Sequence, residues 1–591
     1  MDLSSRSTIL IAPALGLLLA ACSDGSDDSM EPDPPFEPPP PSEEPFWEQW
    51  GGNPQHTGNV AVVGQPLNRM LADITYDPFV PEEMAASGRN ALLVHYQAPI
   101  VDGNDVYVMT KTGDYTGPDS WSTQVWNEAR YSWVDGELVH IWTFETDWKP
   151  PPDGIALAGW EPVFHPVDVN GFIYVPGAGG TLWKVDKATG ESAGQINPFD
   201  GSGVVAANTF VISPVSADDD GNLYYNVIEL ANPAAGDPWA QAVAGSWLVK
   251  VEPDDDASRV DYATLTPGAP AATDTTCPGE FGAADPLPWP VSSTAMPPNR
   301  LCGAQRAGVN AAPAIAPDGT IYTVSRAHFV GMAGYLVAVN PDLTPKWAAS
   351  LQHRFNDGCG LLIPIDPPGG LYQPGTCREG TTVGVDPRTN QPGSGIVTDL
   401  STSSPVVLPD GSVLYGAQTS YNARRGHLMR FDANGNYLDA YDFGWDITPA
   451  VWEHAGTWSV VLKDNHYGLA MYCNGSDPAC RPTQEEYFIT QLNANLDVEW
   501  RFRNTTDDGA HPNGFEWCIN QPAIDSVGVV YANAEDGRVY SLPQGNIGDF
   551  TEPLASVFLE QAIGAAYTPL ALAADGLLYT QNYGHLFAVG E

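Results

Sequence analysis

One pattern of apolar and polar positions returns along the chain. A proline leads a short apolar stretch, then a turn that usually holds glycine, then apolar residues around an aromatic. It reads Ala98-Pro99-Ile100-Val101-Asp102-Gly103 and then Val106-Tyr107-Val108. Clear copies begin at Ser213-Pro214, Ala312-Pro313, Ser404-Pro405, Gln521-Pro522 and Thr568-Pro569, and looser ones at His165-Pro166 and Thr448-Pro449. Each copy reads as a hairpin: alternating apolar residues, a tight turn, then a β-branched and aromatic strand. Two more strands follow most hairpins, as in Leu336-Val337-Ala338-Val339 and then Pro345-Lys346-Trp347.

Four antiparallel strands per unit, repeated every 44 to 99 residues, predict an all-β protein, a β-propeller. Eight copies give eight blades; the two loose copies leave seven blades plus a stray hairpin as the alternative. The eighth copy runs out at Glu591 with about three strands. The segment near Arg69-Met70-Leu71-Ala72-Asp73-Ile74-Thr75 is expected to supply the fourth and close the ring, which removes an open edge.

Composition agrees. Of 591 residues 43% are hydrophobic and 10% aromatic, too apolar for a disordered chain. Asp and Glu total 72 against 25 Lys and Arg, a net charge of −47, which repels polyanions and excludes nucleic-acid binding.

Two resemblances follow from local residues. Ile9–Ala21 is an apolar stretch of signal-peptide length ending in Leu19-Ala20-Ala21-Cys22, which resembles the bacterial lipobox. The resemblance implies removal of residues 1–21, lipidation of Cys22 and an exported, lipid-anchored protein, with the outer membrane favoured by Ser23. Residues 22–46 then form an acidic tether: positions 23–46 hold eight Pro, eight Asp or Glu and no Lys or Arg. Trp50-Gly51-Gly52-Asn53-Pro54-Gln55-His56-Thr57-Gly58 looks like the opening motif of the PQQ-like (quinoprotein-type) propellers, and Leu182-Trp183-Lys184-Val185-Asp186-Lys187-Ala188-Thr189-Gly190 resembles their repeat. That likeness covers residues 47–591. Its members include quinoprotein dehydrogenases and a scaffold lipoprotein, so it implies a fold rather than an activity.

Six cysteines fall into local pairs in Gly/Pro-rich segments, predicting the disulfides Cys277–Cys302, Cys359–Cys377 and Cys473–Cys480, with Cys518 left over. The short turns between first and second strands fall on one face. The long segments, Lys111–Ala129 and Pro267–Gly308 among them, fall on the other, where binding is expected unless they only cap the channel.

Residues just before each repeat proline should line the channel mouth on that face. They are Gln97, His165, Ser213, Asn310, Ser404 and Thr448, then Asn520, Gln521 and Thr568, with Asp446 nearby. Such a ring can hold a ligand, or bind water and itself. Arg424 and Arg425, adjacent cations in an acidic chain, are candidates for a carboxylate on a ligand or partner, or for the protein's own acids. His511, Glu516 and Cys518 share one segment and are metal-ligating types, although their spacing matches no closed motif. The quinoprotein resemblance would bring PQQ and calcium, but the adjacent cysteines of those enzymes are missing and calcium ligands cannot be placed. The expected function is therefore non-catalytic binding or scaffolding at the envelope. The partner would be an envelope protein or a small-molecule or carbohydrate ligand. A PQQ-dependent or other cofactor-dependent oxidoreductase is the alternative, and a carbohydrate-binding surface protein the third reading.

Overall fold

The computed structural model describes residues 47–87, 94, 96–117, 121–152, 157, 159–199, 205–282, 285–286, 288–356, 358–360, 377–420, 425–445, 447–468, 471–472, 481–482, 485–546, 548–560 and 569–591. Cys22, the tether, the Cys473–Cys480 pair, Arg424, Asp446 and Thr568 lie outside them. No described helix is long and apolar enough to cross a membrane.

Eight four-stranded antiparallel blades make a propeller. Numbered along the chain, blades 1 to 8 span 100–145, 167–196, 209–261, 305–350, 395–443, 450–503, 523–558 and 570–590. Blade 8 takes its outer strand from Arg69–Thr75, in register from Arg69↔Gly590 to Thr75↔His585. A strand from the early part of the chain thus shares a sheet with the last strands, as the sequence requires. The weak copies at Pro166 and Pro449 are genuine blades, 2 and 6.

The cores lie largely between neighbouring blades. Leu408 and Tyr441 of blade 5, for example, bury against Val451 and Val460 of blade 6. A blade alone leaves such faces in water, so the ring is the stable unit. The repeat proline sits where an innermost strand bends. In blade 3, Thr209–Val211 and Ser216–Ala217 both pair with Leu223–Leu230, and Ser213-Pro214 falls between them. An inner strand has a sheet neighbour on one side only, which is where a residue lacking N–H is tolerated. Turn chemistry supports the hairpin: Asp525 Oδ1 accepts the Val527 and Val529 amides (3.0 and 2.8 Å), and Tyr531 on the returning strand donates to Oδ2 (3.4 Å).

One expected long loop is about half sheet. Strands Asp105–Gly113 and Gln124–Val134 pair from Asp105↔Ser132 out to Gly113↔Gln124, so both ends of Lys111–Ala129 are strand. Polar residues on both faces of this hairpin hid its alternation.

The segment from Trp47 to Gln65 runs around the propeller axis and meets all eight blades in order. Its carbonyls accept the amide two residues after the repeat proline in six blades. Val101 donates to Trp47 (2.9 Å), Asp168 to Glu48 (2.9 Å) and Ile315 to Pro54 (2.7 Å). Val407 donates to Gln55 (3.0 Å), Val451 to Thr57 (2.7 Å) and Ile524 to Gly58 (2.8 Å). In blade 3 the Gln49 side chain takes this role, accepting from the Ala217 amide (2.8 Å). In blade 8 the Gln65 amide donates to the Gly576 carbonyl (2.8 Å). Inner-strand amides that would otherwise face the axis unpaired are thereby satisfied.

Candidate functional site

The polar residues before the repeat prolines are buried, every described one of them. Most of their polar atoms are spent on one another and on backbone. Ser404 Oγ accepts the Ala312 amide (2.9 Å), and Thr448 Oγ1 accepts the Ser404 amide (3.0 Å). Asn310 Oδ1 accepts the Val163 amide (2.9 Å), while Ser213 Oγ accepts the Asn226 amide (2.9 Å). Thr402 donates to Asn520 Oδ1 (2.9 Å). Gln521 Nε2 donates to the carbonyls of His56 (2.6 Å) and Pro449 (2.7 Å), tying the axial segment to blades 6 and 7. Of the two alternatives for this ring, mutual bonding describes it.

The axial motif supplies residues not foreseen as part of this ring. Trp50 packs edge-on against His165, with ring centroids 5.5 Å apart. His56 donates Nδ1–H to the Pro405 carbonyl (2.9 Å), and His165 donates to the Pro166 carbonyl (2.6 Å). Burial pushes both imidazoles down, to about 4 and about 3, so both are neutral near pH 7. Polar residues interleaved with small ones in 50–58 were the available signal.

Arg425 is not a free cation. It is buried and pairs with Asp442, which also accepts His427 Nδ1 (2.8 Å). The protein's own acid is therefore its partner. Trp126 and Trp239 are buried: Trp126 packs on Trp148 and donates to Glu161 (2.8 Å), and Trp239 stacks with His328.

His511 turns away from its expected companions and pairs with Asp508 (2.9 Å). Glu535 takes its place. Ligand atoms of Glu516, Cys518 and Glu535 lie within 4.8 Å of one another. Tyr467 donates to Glu516 Oε2 (2.5 Å), and burial plus the two glutamates push the Cys518 thiol well up. These three residues, not His511, are the described set with ligating geometry.

The long connections from blade 3 to 4 and from blade 4 to 5 do lie together on the face opposite the short turns. Cys277–Cys302 and Cys359–Cys377 form as expected, bridging separations of 25 and 18 residues. Closing loops of that length stabilises a fold by about 3 kcal/mol in the chain-entropy account. The two excursions are joined. Arg388 pairs with Glu280 (3.2 Å), the Phe281 amide donates to the Arg388 carbonyl (2.7 Å), and the Arg378 amide donates to the Trp289 carbonyl (2.8 Å). Asn390 Nδ2 adds a bond to the Ala295 carbonyl (2.8 Å). The result is a braced platform that carries four exposed apolar side chains: Val291, Met296, Leu301 and Val383, the last 57% exposed.

A buried ion cluster lies at the roots of these excursions. Arg306 grips Asp399 with two bonds (2.8 and 2.6 Å), and Arg326 adds a third (3.0 Å). Arg306 Nε donates to His328 Nδ1 (3.0 Å), so His328 donates Nε2–H to the Gln241 carbonyl (2.7 Å) and is neutral. Although burial opposes it, the two guanidiniums hold the Asp399 carboxyl well below the usual carboxylate range.

No family model and no curated protein matches the chain. Among solved structures it is similar to a europium-containing methanol dehydrogenase, at 10% identity over 90% of this chain and 89% of that one, with a TM-score of 0.49. It is similar to the quinohemoprotein alcohol dehydrogenase from Comamonas testosteroni at 11% identity, covering 93% and 81% of the two chains, TM-score 0.48. BamB from Moraxella catarrhalis follows at 11% identity, 88% and 99% coverage, TM-score 0.40. The PQQ-like resemblance read from the sequence holds in the architecture, eight four-stranded blades. Likenesses of this order leave activity to be argued from the chain's own residues.

Proposed function

We propose that this is an exported, lipid-anchored envelope protein that binds a protein partner through the braced platform over blades 4 and 5. The observation that carries the reading is the platform itself. Two disulfide-closed excursions are locked together by an ion pair and backbone bonds, yet they hold four large apolar side chains in water. Rigidity lowers the ordering cost of binding, and the exposed apolar side chains supply its driving force. The chain enters the propeller at Trp47, beside Val101 and the short Asp102-Gly103 turn, on the opposite face.

The quinoprotein donor set does not fit. The described disulfides join cysteines 25 and 18 residues apart rather than adjacent ones, and of Asn310 and Asp399, a pair of types that bind calcium, the first is spent on the Asp399 carbonyl and the Val163 amide and the second on Arg306 and Arg326. No step is derived through that cofactor.

Met296→Asp combined with Val383→Asp is expected to cut partner recovery from envelope extracts at least roughly tenfold, because a charge cannot be buried unpaired at an interface. Far-ultraviolet circular dichroism and the melting curve should stay unchanged. Undiminished recovery defeats the platform reading, and dye-linked alcohol oxidation after addition of PQQ and calcium would favour an oxidoreductase instead. For the anchor, Cys22→Ala should move the protein from the membrane to the soluble fraction; continued sedimentation with membranes counts against it.

A further inference from the structure

Gln97 and Glu128 are both fully buried. Gln97 precedes the repeat proline of blade 1, and its backbone carbonyl accepts Gln581 Nε2 from blade 8 (2.9 Å). Its side chain turns to Glu128 on the third strand of blade 1. Gln97 Nε2 donates to Glu128 Oε1 (3.1 Å) and to the Tyr107 carbonyl (3.4 Å), which uses both amide hydrogens. Two oxygens are then left buried without a partner: Gln97 Oε1 and Glu128 Oε2.

A primary amide beside a carboxyl makes two parallel hydrogen bonds only when the carboxyl holds a proton. The N–H···O arm is present. An O–H on Oε2 would be the donor that Gln97 Oε1 lacks, so that one proton serves both orphaned atoms. Ionised, Glu128 would set a buried charge, met by the single Gln97 amide donor, next to a bare carbonyl oxygen. We propose that Glu128 is held as the neutral acid, locked to Gln97 by this two-bond pair, and that losing the proton loosens the wall between blades 8 and 1.

The charges around the pair are committed elsewhere. On the second strand Asp105 pairs with Arg130 (2.8 Å), and Lys111 pairs with Asp77 (2.9 Å) and Glu161 (2.5 Å). On the outer strand His140 bonds Thr143 (2.7 Å), and Glu137 and Glu145 stand at its two ends. Tyr579 of blade 8 accepts from Trp133 (2.6 Å), Tyr131 packs on His140, and neutral His165 of blade 2 bonds its own proline carbonyl. Burial therefore dominates at Glu128 and pushes it up to about 8, with only the Gln97 bond opposing. Its folded pKa exceeds the unfolded value. The contribution is therefore fully present below about pH 4 and is lost as pH rises toward 8.

Glu128→Gln tests this in the full chain, because a second amide keeps one donor and one acceptor toward Gln97. Relative to that variant, the wild-type folding constant should fall roughly tenfold per pH unit between pH 5 and 8 and level off above. Infrared difference spectra should show a protonated-carboxyl carbonyl band at pH 7 in the wild type that disappears above pH 8 and is missing from the variant. Parallel pH curves, or no such band in the wild type, overturn the proposal. So does a stoichiometric metal ion bound by the wild type and lost from the variant, since it would mean an ionised Glu128 with a buried cation. The wild-type band titration alone decides the case if the variant fails to fold.

Discussion

A chain that begins at Asn68 is expected to lose cooperative unfolding, whereas one that begins at Trp47 keeps it. The truncation spares Arg69–Thr75, so blade 8 retains all four strands. What disappears is the segment that visits every blade. Trp47 and Trp50 are buried to 2% and 1% exposure, and removing a buried tryptophan costs about 3–5 kcal/mol each. The pair alone approaches the 5–15 kcal/mol by which a domain is typically stable. Inner-strand amides in seven blades also lose their acceptors, and the axis opens to water. Calorimetry and circular dichroism on the two chains should show one sharp transition for the longer and a broad, dye-binding state for the shorter. A sharp transition for the shorter chain within a few degrees of the longer would show that the ring holds without its axial segment. Gly58→Val offers a graded version: Gly58 has φ +61°, and a Cβ there would meet the Pro522 carbonyl oxygen at 2.8 Å.

The ring was legible because its signals are local. Pro99 and its seven counterparts, the Asp-Gly turns and the following Tyr each report a hairpin within about fifteen residues. Closure followed from strand count alone, because a propeller one strand short must find it at the other terminus. Cysteine pairing was legible for a similar reason, short separation. Contacts that join distant residues were not. Nothing local in Trp47–Gln65 announces that its carbonyls will meet amides from Val101 to Ile524. The chemistry of the residues before the repeat prolines was left open, because whether Ser404 faces a ligand or Thr448 depends on atoms 44 residues away. His511 was grouped with Glu516 by proximity in sequence, but Glu535 arrives from a blade 7 turn. Glu128 carries no signal at all in sequence, since its state is set by burial.

The ion cluster at the platform's roots carries the second large effect. Asp399→Ala is expected to destabilise the protein by about 3–5 kcal/mol, because Arg306 and Arg326 would then face each other buried with no carboxylate between them. Asp399→Asn should cost less, since its amide oxygen still accepts one guanidinium bond. The pH dependence separates lost charge from lost packing. In the folded state the Asp399 carboxyl titrates well below its unfolded value near 3.9, so its contribution is complete above about pH 4 and erodes only as pH falls further. Urea midpoints of wild type and Asp399→Ala should therefore differ by a constant amount from pH 5 to 7 and draw together below pH 4. Glu128 runs with the opposite sign, losing its contribution as pH rises, so the acid and alkaline limbs of the wild-type stability curve report different residues. A gap that stays constant down to pH 2.5 would mean that Asp399 acts through shape alone. The arginines would then be balanced by something other than its charge.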